Sequence, residues 1–363
     1  MYQTPELRRD RGLADFWTGR LAGTDLLNRD RISSITILLT YRCPATCDHC
    51  IFESSPRNKA KVDVAVARRL IEAASRQNPP PVVGFSGGEP FLRLKEMREL
   101  VLFAAERGMI SEVISSSAWV HDHAQARAVL ADLLACGMKT YCTSVDRFHT
   151  PFVKAAKMRT AILAAREAGL HVIVNTQKDE SMHYGGDDAI VAYLAATLDL
   201  PESVIREFQV NPLVTTPVGR ARDMVDDYVY DPSKDMNEGC PMATEIVTLS
   251  PYGFLYPCCG MVLGEKPETA GLFIQDDLGT RSVDEIAAIL EELKSDLFFK
   301  ILQALGPYRL LMELKRRNPA IAVRDRYVGA CDACLEFTAN PAVVEEARAY
   351  LQECAQRLAL DAA

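Results

Sequence analysis

Cys43, Cys47 and Cys50 are the strongest constraint on this chain, in the run Thr40-Tyr41-Arg42-Cys43-Pro44-Ala45-Thr46-Cys47-Asp48-His49-Cys50. Thiols spaced C-x3-C-x2-C can close on one metal centre with little loop entropy left to lose. Whatever fold forms must therefore present this loop where three sulfurs converge. The number of thiols matters more than their spacing. A cubane 4Fe-4S cluster takes four ligands, so three protein thiolates leave one iron open. A structural site fills its coordination, whereas an open position belongs to chemistry. Taken alone, the triplet also reads as a zinc knuckle, or as cysteines adjacent by chance.

Composition narrows the class. At 363 residues the chain has room for about two domains of roughly 150 residues. No stretch of about 18 uncharged apolar residues appears, so no membrane span is expected. The N-terminus MYQTPELRRDRGLADFW carries charges where a signal peptide needs an apolar core. A net charge of −8 without a long basic run disfavours a nucleic-acid partner. Eleven cysteines without an export signal point to metal ligation in a reducing compartment, hence a cytoplasmic metalloprotein.

The order of elements is regular. Ile35–Tyr41 reads as a buried strand running into the cysteine loop, and Val62–Arg76 as a helix. Strands at Val82–Ser86, Ser111–Ser117, Lys139–Val145, His171–Thr176 and Val204–Asn211 follow, separated by helices at 94–107, 122–136, 151–168 and near 187–198. Six strands alternating with helices imply parallel βαβ units with right-handed crossovers. A doubly wound open sheet gives the same alternation.

The cysteine run resembles the cluster loop of the radical S-adenosylmethionine (SAM) superfamily, in which SAM occupies the open iron. In that family an aromatic residue near the adenine precedes the third cysteine, and His49 stands there. The resemblance implies an α/β fold, a partial (β/α)6 TIM-type barrel, with the loop at the carboxyl end of the strands where barrel sites lie. Gly87-Gly88-Glu89-Pro90 follows strand two. Its glycines permit close backbone approach to a ligand, and Glu89 can accept hydrogen bonds from an ammonium group. The plainer reading is a Gly-Pro turn, but its place matches the family motif that holds the SAM amino group. Ser117 lies where relatives carry a Ser-Thr-Asn-Gly sequence, from which Ser115-Ser116-Ser117-Ala118 departs. Ser144-Val145-Asp146-Arg147-Phe148-His149 looks like the Ser-x-Asp-x-x-His segment of radical SAM peptide-modifying enzymes. Alternation puts Ser144 and Asp146 on one face, where a carboxylate can accept both ribose hydroxyls of SAM. Cys142 shares that parity, as a small core thiol or a hydrogen donor. Pro217-Val218-Gly219-Arg220-Ala221 resembles a stretch of the same enzymes, with Arg220 either structural or facing an acidic group.

The C-terminal third carries Cys240, Cys258 and the pair Cys331 and Cys334. A β-hairpin over Glu245–Ser250 and Phe254–Pro257 brings Cys240 towards Cys258, with the C-x2-C supplied from a later turn. The spacing resembles a shortened SPASM extension, a Twitch domain, which implies an auxiliary 4Fe-4S cluster; zinc is the rival metal. Cys259 is surplus, either a packed thiol or a hydrogen donor to the substrate cavity. Residues 282–317 read as covering helices broken at Gly306-Pro307. The expected organisation is an N-terminal extension over 1–32, a barrel over 33–222 and an auxiliary-cluster domain with a C-terminal helix over 223–363.

By this resemblance the cofactors are two 4Fe-4S clusters and SAM, and an external one-electron reductant of flavodoxin or ferredoxin type is a partner. SAM is cleaved to methionine and a 5′-deoxyadenosyl radical, which abstracts hydrogen from a substrate. Two substrate classes compete. The runs at 144–149 and 217–221 favour a ribosomally made peptide, oxidised, crosslinked or epimerised. The single auxiliary site favours a dehydrogenase or epimerase of a small metabolite such as an amino sugar or cyclitol. Only 42 residues precede Cys43, too few for the winged-helix leader-binding module some maturases carry. A non-enzymatic metal-binding scaffold is the third reading.

Overall fold

The computed structural model describes residues 31–178, 180–224, 239–240, 242–259, 276–324 and 326–361. Most of the expected N-terminal extension, and much of the start of the expected second domain, lie outside these residues.

Strand β1 (Ser34–Thr40) is buried through Ile35, Ile37, Leu38 and Leu39. Helix α1 (Val64–Ala74) returns the chain, its first turn capped by the Asp63 carboxylate, which accepts from the Ala65 N–H at 2.8 Å. The repeat continues with β2 (Val82–Gly87), α2 (Leu94–Ala105), β3 (Ser111–Ser115), α3 (His123–Cys136), β4 (Met138–Ser144), α4 (Ala155–Ala168), β5 (His171–Gln177) and α5 (Glu180–Leu198). Gly137, at φ 119°, and Gly169, at φ 90°, end α3 and α4 in the left-handed region that glycine adopts freely.

The sixth strand differs from the sequence expectation. Glu202–Ile205 forms a single helical turn, α6, and β6 occupies Gln209–Leu213. Pro201 precedes that turn and Glu202 lies in it, which favours a helix start, and Ile205 is buried from the helix. The β-branched pair Val204-Ile205 mimics a strand only when that start is overlooked.

Strands β6-β5-β4-β3-β2-β1 are neighbours in sequential order and pair in parallel. Sequential right-handed crossovers place every helix on the same face, whereas a doubly wound sheet reverses direction midway. The ambiguity left by the sequence is thereby settled in favour of a partial barrel. The helix-covered face is apolar: Ile37, Phe85, Val113, Tyr141 and Val174 are fully buried. Each large side chain so buried contributes about 1.5–3 kcal/mol.

The expected hairpin forms as β7 (Ile246–Leu249) and β8 (Phe254–Tyr256), turning at Gly253 with φ 91°. It is not separate from the barrel: β7 pairs in parallel with β1, from Ser34 against Ile246 to Ile37 against Leu249. A two-residue strand β9 (Asp276–Asp277) completes a nine-stranded sheet. Helices α7 (Val283–Ser295), α8 (Leu297–Leu305) and α9 (Pro307–Arg317) follow, the last two parted at Gly306 as expected. Short helices α10 (Ala330–Cys334) and α11 (Glu336–Ala339) lead into α12 (Pro341–Asp361). One continuous buried cluster runs from the strands into these helices, through Phe298, Leu302, Phe337 and Tyr350. Among the described residues no helix is long and apolar enough to cross a membrane.

Candidate active site

The cysteine loop leaves β1 at its carboxyl end and folds back on itself. The Cys43 N–H donates to the Ser55 carbonyl at 3.1 Å, and the Cys50 N–H to the Cys47 carbonyl at 3.1 Å. Cys43 and Cys47 are buried with Ala45 and Phe148, and Cys50 and Met224 pack against them. Burial first, then the charges of the neighbouring thiols among other groups, pushes the Cys43 and Cys47 thiols up to about 12. A bound cation would favour their thiolate forms, as metal ligation requires.

Arg220 stands beside them and lowers both thiols electrostatically. Its Nε donates to the Cys47 carbonyl at 2.9 Å and its backbone N–H to the Cys50 carbonyl at 3.2 Å. Gly219, at φ 60°, makes this approach possible: a Cβ there would meet the Cys50 carbonyl oxygen at 2.5 Å. The sequence left Arg220 between a structural and an acid-facing role, and it braces the loop. Its Nη2 is buried without a hydrogen-bond partner, and so is His49 Nδ1. Two orphaned polar atoms and three thiols packed in one cluster fit an anionic, sulfur-bound group with an organic cosubstrate beside it.

The ring of His49 stacks on Phe148 at 4.6 Å and meets the His149 ring edge-on at 5.0 Å. Burial, then the positive field of His149, lowers His49 to about 4, so its imidazole is neutral. Cys47, His49 and His149 each bring one ligating atom within 4.8 Å of the others. Asp146, 1% exposed, accepts from the Phe148 and His149 N–H groups at 2.9 and 3.0 Å and contacts His149 Nδ1 at 2.9 Å. Burial raises its carboxyl, but the bonds from His149 outweigh that and hold it below the usual range.

The Gly87-Gly88-Glu89-Pro90 turn runs against the same loop. The Gly88 N–H donates to the Thr40 carbonyl at 2.6 Å and the Glu89 N–H to the Arg42 carbonyl at 2.9 Å. A Cβ on Gly87 would lie 2.4 Å from the Thr40 oxygen, and one on Gly88 2.2 Å from the Arg42 oxygen. These glycines are thus needed for protein-to-protein approach, a reason the sequence reading assigned to a ligand. Glu89 is fully buried and accepts from Ser115 Oγ at 2.9 Å, Ser116 N–H at 3.0 Å and Phe91 N–H at 3.2 Å. Pro90 opens a short 3-10 turn, Pro90–Arg93. Ser117, at φ 64° and fully buried, bonds to Tyr141 Oη at 2.8 Å and Thr143 Oγ1 at 2.7 Å. Ser144 is half-buried at the end of β4.

Cys142 is buried in β4 on the face turned away from the helices, as alternation requires, and is bonded to the Asn175 side chain; burial pushes its thiol up to about 12. In the C-terminal part, burial and then Cys240, Cys331 and Cys258 raise the Cys334 thiol well above its ordinary value, so the four lie in one electrostatic neighbourhood. The C-x2-C sits in the one-turn helix α10 rather than in an open turn. Asp332 between its cysteines is fully buried, accepts from the Val328 N–H at 2.8 Å and pairs with Arg324 at 2.6 Å. Arg324 and the Asp146–His149 contact escaped the sequence reading; the i, i+3 spacing of Asp146 and His149 on a turn was the signal available for the latter. Cys259 is exposed.

The chain is thus an α/β protein with an open parallel barrel and a three-thiol loop after its first strand. Residues 37–182 match the Radical SAM superfamily profile, and this segment is a radical SAM superfamily domain. Over 134 residues the chain is 28% identical to a putative peptide biosynthesis protein, YydG of Bacillus subtilis, covering 37% of this chain and 42% of that one. Over 154 residues it is 32% identical to the PqqA peptide cyclase of Xanthomonas oryzae, covering 39% of each. The matches thus span about two fifths of these relatives' lengths. In fold, the chain is similar to native anSMEcpe with bound AdoMet and a peptide, with TM-score 0.51 and 11% identity over 90% of this chain and 99% of that one. It is also similar to Streptococcus suis SuiB bound to precursor peptide SuiA, with TM-score 0.51 and 11% identity over 76% of this chain and 68% of that one.

Proposed function

We propose that the chain is a radical SAM enzyme that modifies a ribosomally made peptide by hydrogen-atom abstraction. The observation that carries the reading is the packing of Cys43, Cys47 and Cys50 in one cluster beside a braced, partly unpartnered Arg220 at the carboxyl end of an open barrel. Relatives named for peptide biosynthesis and peptide cyclisation, matched over the barrel segment, support the substrate class.

Cys43, Cys47 and Cys50 would hold a 4Fe-4S cluster. When bound and reduced by an external flavodoxin- or ferredoxin-type donor, that cluster supplies the electron that splits SAM into methionine and a 5′-deoxyadenosyl radical. The protein's part is placement and exclusion of water. Arg220 fixes the loop backbone and contributes positive charge. His49 and Phe148 offer an aromatic surface for adenine. Ser144 is the direct polar contact at the end of β4. Glu89, Ser117 and Asp146 spend their side chains on protein hydrogen bonds, so in this reading they support the SAM site from behind, with the backbone of Gly87-Gly88 and Pro90 lining it.

Cys240, Cys258, Cys331 and Cys334 would hold an auxiliary 4Fe-4S cluster, which would supply an acceptor for the electron left on the substrate, so oxidation or crosslinking is the favoured outcome. A redox-neutral epimerisation instead needs a thiol hydrogen donor, Cys142 or Cys259.

The test is anaerobic incubation of reconstituted protein with SAM and dithionite. Slow release of 5′-deoxyadenosine without substrate is expected, accelerated by a precursor peptide encoded beside the gene. S-adenosylhomocysteine as the main product overturns the reading. Running the reaction in deuterium oxide separates the outcomes: deuterium at a former carbon–hydrogen position, lost in Cys142→Ala or Cys259→Ala, replaces oxidation by epimerisation and names the donor.

A further inference from the structure

The sheet face turned away from the helices mixes polar and apolar side chains, and some of its polar groups pair with one another. Register places Thr36, Gly84, Glu112, Cys142, Asn175 and Asn211 on it. Asn211 Nδ2 donates to Asn175 Oδ1 at 3.3 Å, and the Asn175 side chain bonds to Cys142. Ser34 Oγ, Thr248 Oγ1 and Gln177 Oε1 on this face are buried without a partner, and Glu112 is the carboxylate among its unpaired groups. Across strands β1 to β7 it is the only carboxylate on this face, and neither Lys nor Arg shares it. The side chain is half-buried, and no described residue donates a hydrogen bond to it or pairs with it in a salt bridge. Burial alone raises its carboxyl above the ordinary range. Gly84 makes the room: a Cβ there would lie 3.4 Å from Glu112 Oε1 and 3.2 Å from Thr36 Oγ1. A carboxylate set among apolar and amide groups without a donor costs stability, and such a cost persists where a ligand removes it.

We propose that Glu112 is a substrate-binding residue that receives a cationic nitrogen of the substrate inside the barrel. Because this rests on the peptide-modifying reading, the cation is a Lys or Arg side chain of the peptide. Glu112 lies towards the start of β3, below the cysteine loop at the carboxyl ends, so the barrel then selects a basic residue of the peptide that reaches deeper than the position that loses hydrogen. Cys142, two residues along the neighbouring strand from the position paired with Glu112, lies on the same face, within reach of its field.

Two measurements on the full, cluster-loaded chain test this. The first is thermal unfolding of Glu112→Gln. A substrate-binding carboxylate without a partner in the free protein gives a Tm that is unchanged or raised by up to roughly 4 °C. A lowered Tm shows that Glu112 serves the fold, and overturns the proposal. The second measures 5′-deoxyadenosine release with synthetic hexapeptide pools fixed at one position as Lys, Arg, Leu or Glu, and separately with glucosamine as an amino-sugar probe. Stimulation by the Lys or Arg pools, reduced roughly tenfold or more in Glu112→Gln and partly regained in Glu112→Asp, is the expected result. Equal stimulation by Leu or Glu pools, stimulation indifferent to Glu112, or none by any probe overturns it. Glu112-dependent stimulation by glucosamine alone keeps Glu112 as a cation receptor and removes the peptide reading instead.

Discussion

Arg220 reaches across 173 residues of chain to donate from Nε to the backbone carbonyl of Cys47. The contact ties the segment after β6 to the loop after β1, so the two ends of the partial barrel meet at the cysteine loop. A charge-assisted hydrogen bond of this kind contributes about 1.5–3 kcal/mol. In Arg220→Ala, and in Arg220→Lys, which lacks the planar fork, iron retained after desalting should fall on the order of tenfold in affinity terms. Circular dichroism of the barrel should be unchanged. Full iron retention in both variants would remove Arg220 from the site.

The two cysteine sets are expected to bind independently. Reconstituted wild-type protein should carry roughly eight irons, and Cys43→Ala, Cys47→Ala and Cys50→Ala combined should leave roughly four with no SAM cleavage. Replacing Cys334 should also leave roughly four, while reductive cleavage of SAM persists. Zinc in place of the second set of irons would refute the auxiliary-cluster proposal.

Asp146 tests the difference between touching a ligand and shaping a loop. Asp146→Ala strands the buried Phe148 N–H, leaves the His149 N–H only its 3.2 Å bond to the Asp146 carbonyl and frees the His149 ring, so a loss of about 2–4 kcal/mol in unfolding free energy is expected, alongside weaker SAM binding. The carboxyl sits below its ordinary 3.8 in the folded chain. Its stabilising share is therefore complete above that pH and disappears as pH falls through the lower folded value. The unfolding difference between wild type and Asp146→Asn, followed in cluster-free protein, should be level above about pH 5 and shrink in stronger acid. A difference that grows on acidification has the wrong sign for this assignment.

Gly88→Ala would push a methyl to 2.2 Å from the Arg42 carbonyl oxygen, a backbone atom with nowhere to retreat. A destabilisation of about 2 kcal/mol or more is expected, with loss of iron as the Thr40–Arg42 segment shifts. Gly108, where nothing lies within 4 Å of an added Cβ, is the control for the steric part.

Much of this was legible in the residues. The alternation of strands and helices, the Gly137 and Gly169 stops, the hairpin around Gly253 and the inward parity of Cys142 follow from local chemistry that tertiary packing leaves intact. What escaped depends on partners distant in sequence. Nothing near Ser117 announces that Tyr141 and Thr143 will take its hydroxyl. Nothing near Gly87-Gly88 says that the close neighbour is the Thr40–Arg42 backbone. Glu112 looks like any glutamate at a strand start until the register shows the face it shares and the cations missing from it. Val204-Ile205 misled because β-branching is a weak signal beside a proline and an acidic first turn.

The parallel pairing of β7 on β1 has a consequence for how the chain can be cut. β1 carries the cysteine loop and would otherwise be the bare rim of the sheet, with one row of N–H and C=O groups open to any passing strand. That rim is closed only by residues synthesised some two hundred positions later. A fragment ending after β6 would keep all three thiols and every barrel crossover, yet expose an adhesive border at the strand that leads into the cysteine loop. The barrel is therefore not a detachable module: its solubility is guarded by the segment that follows it.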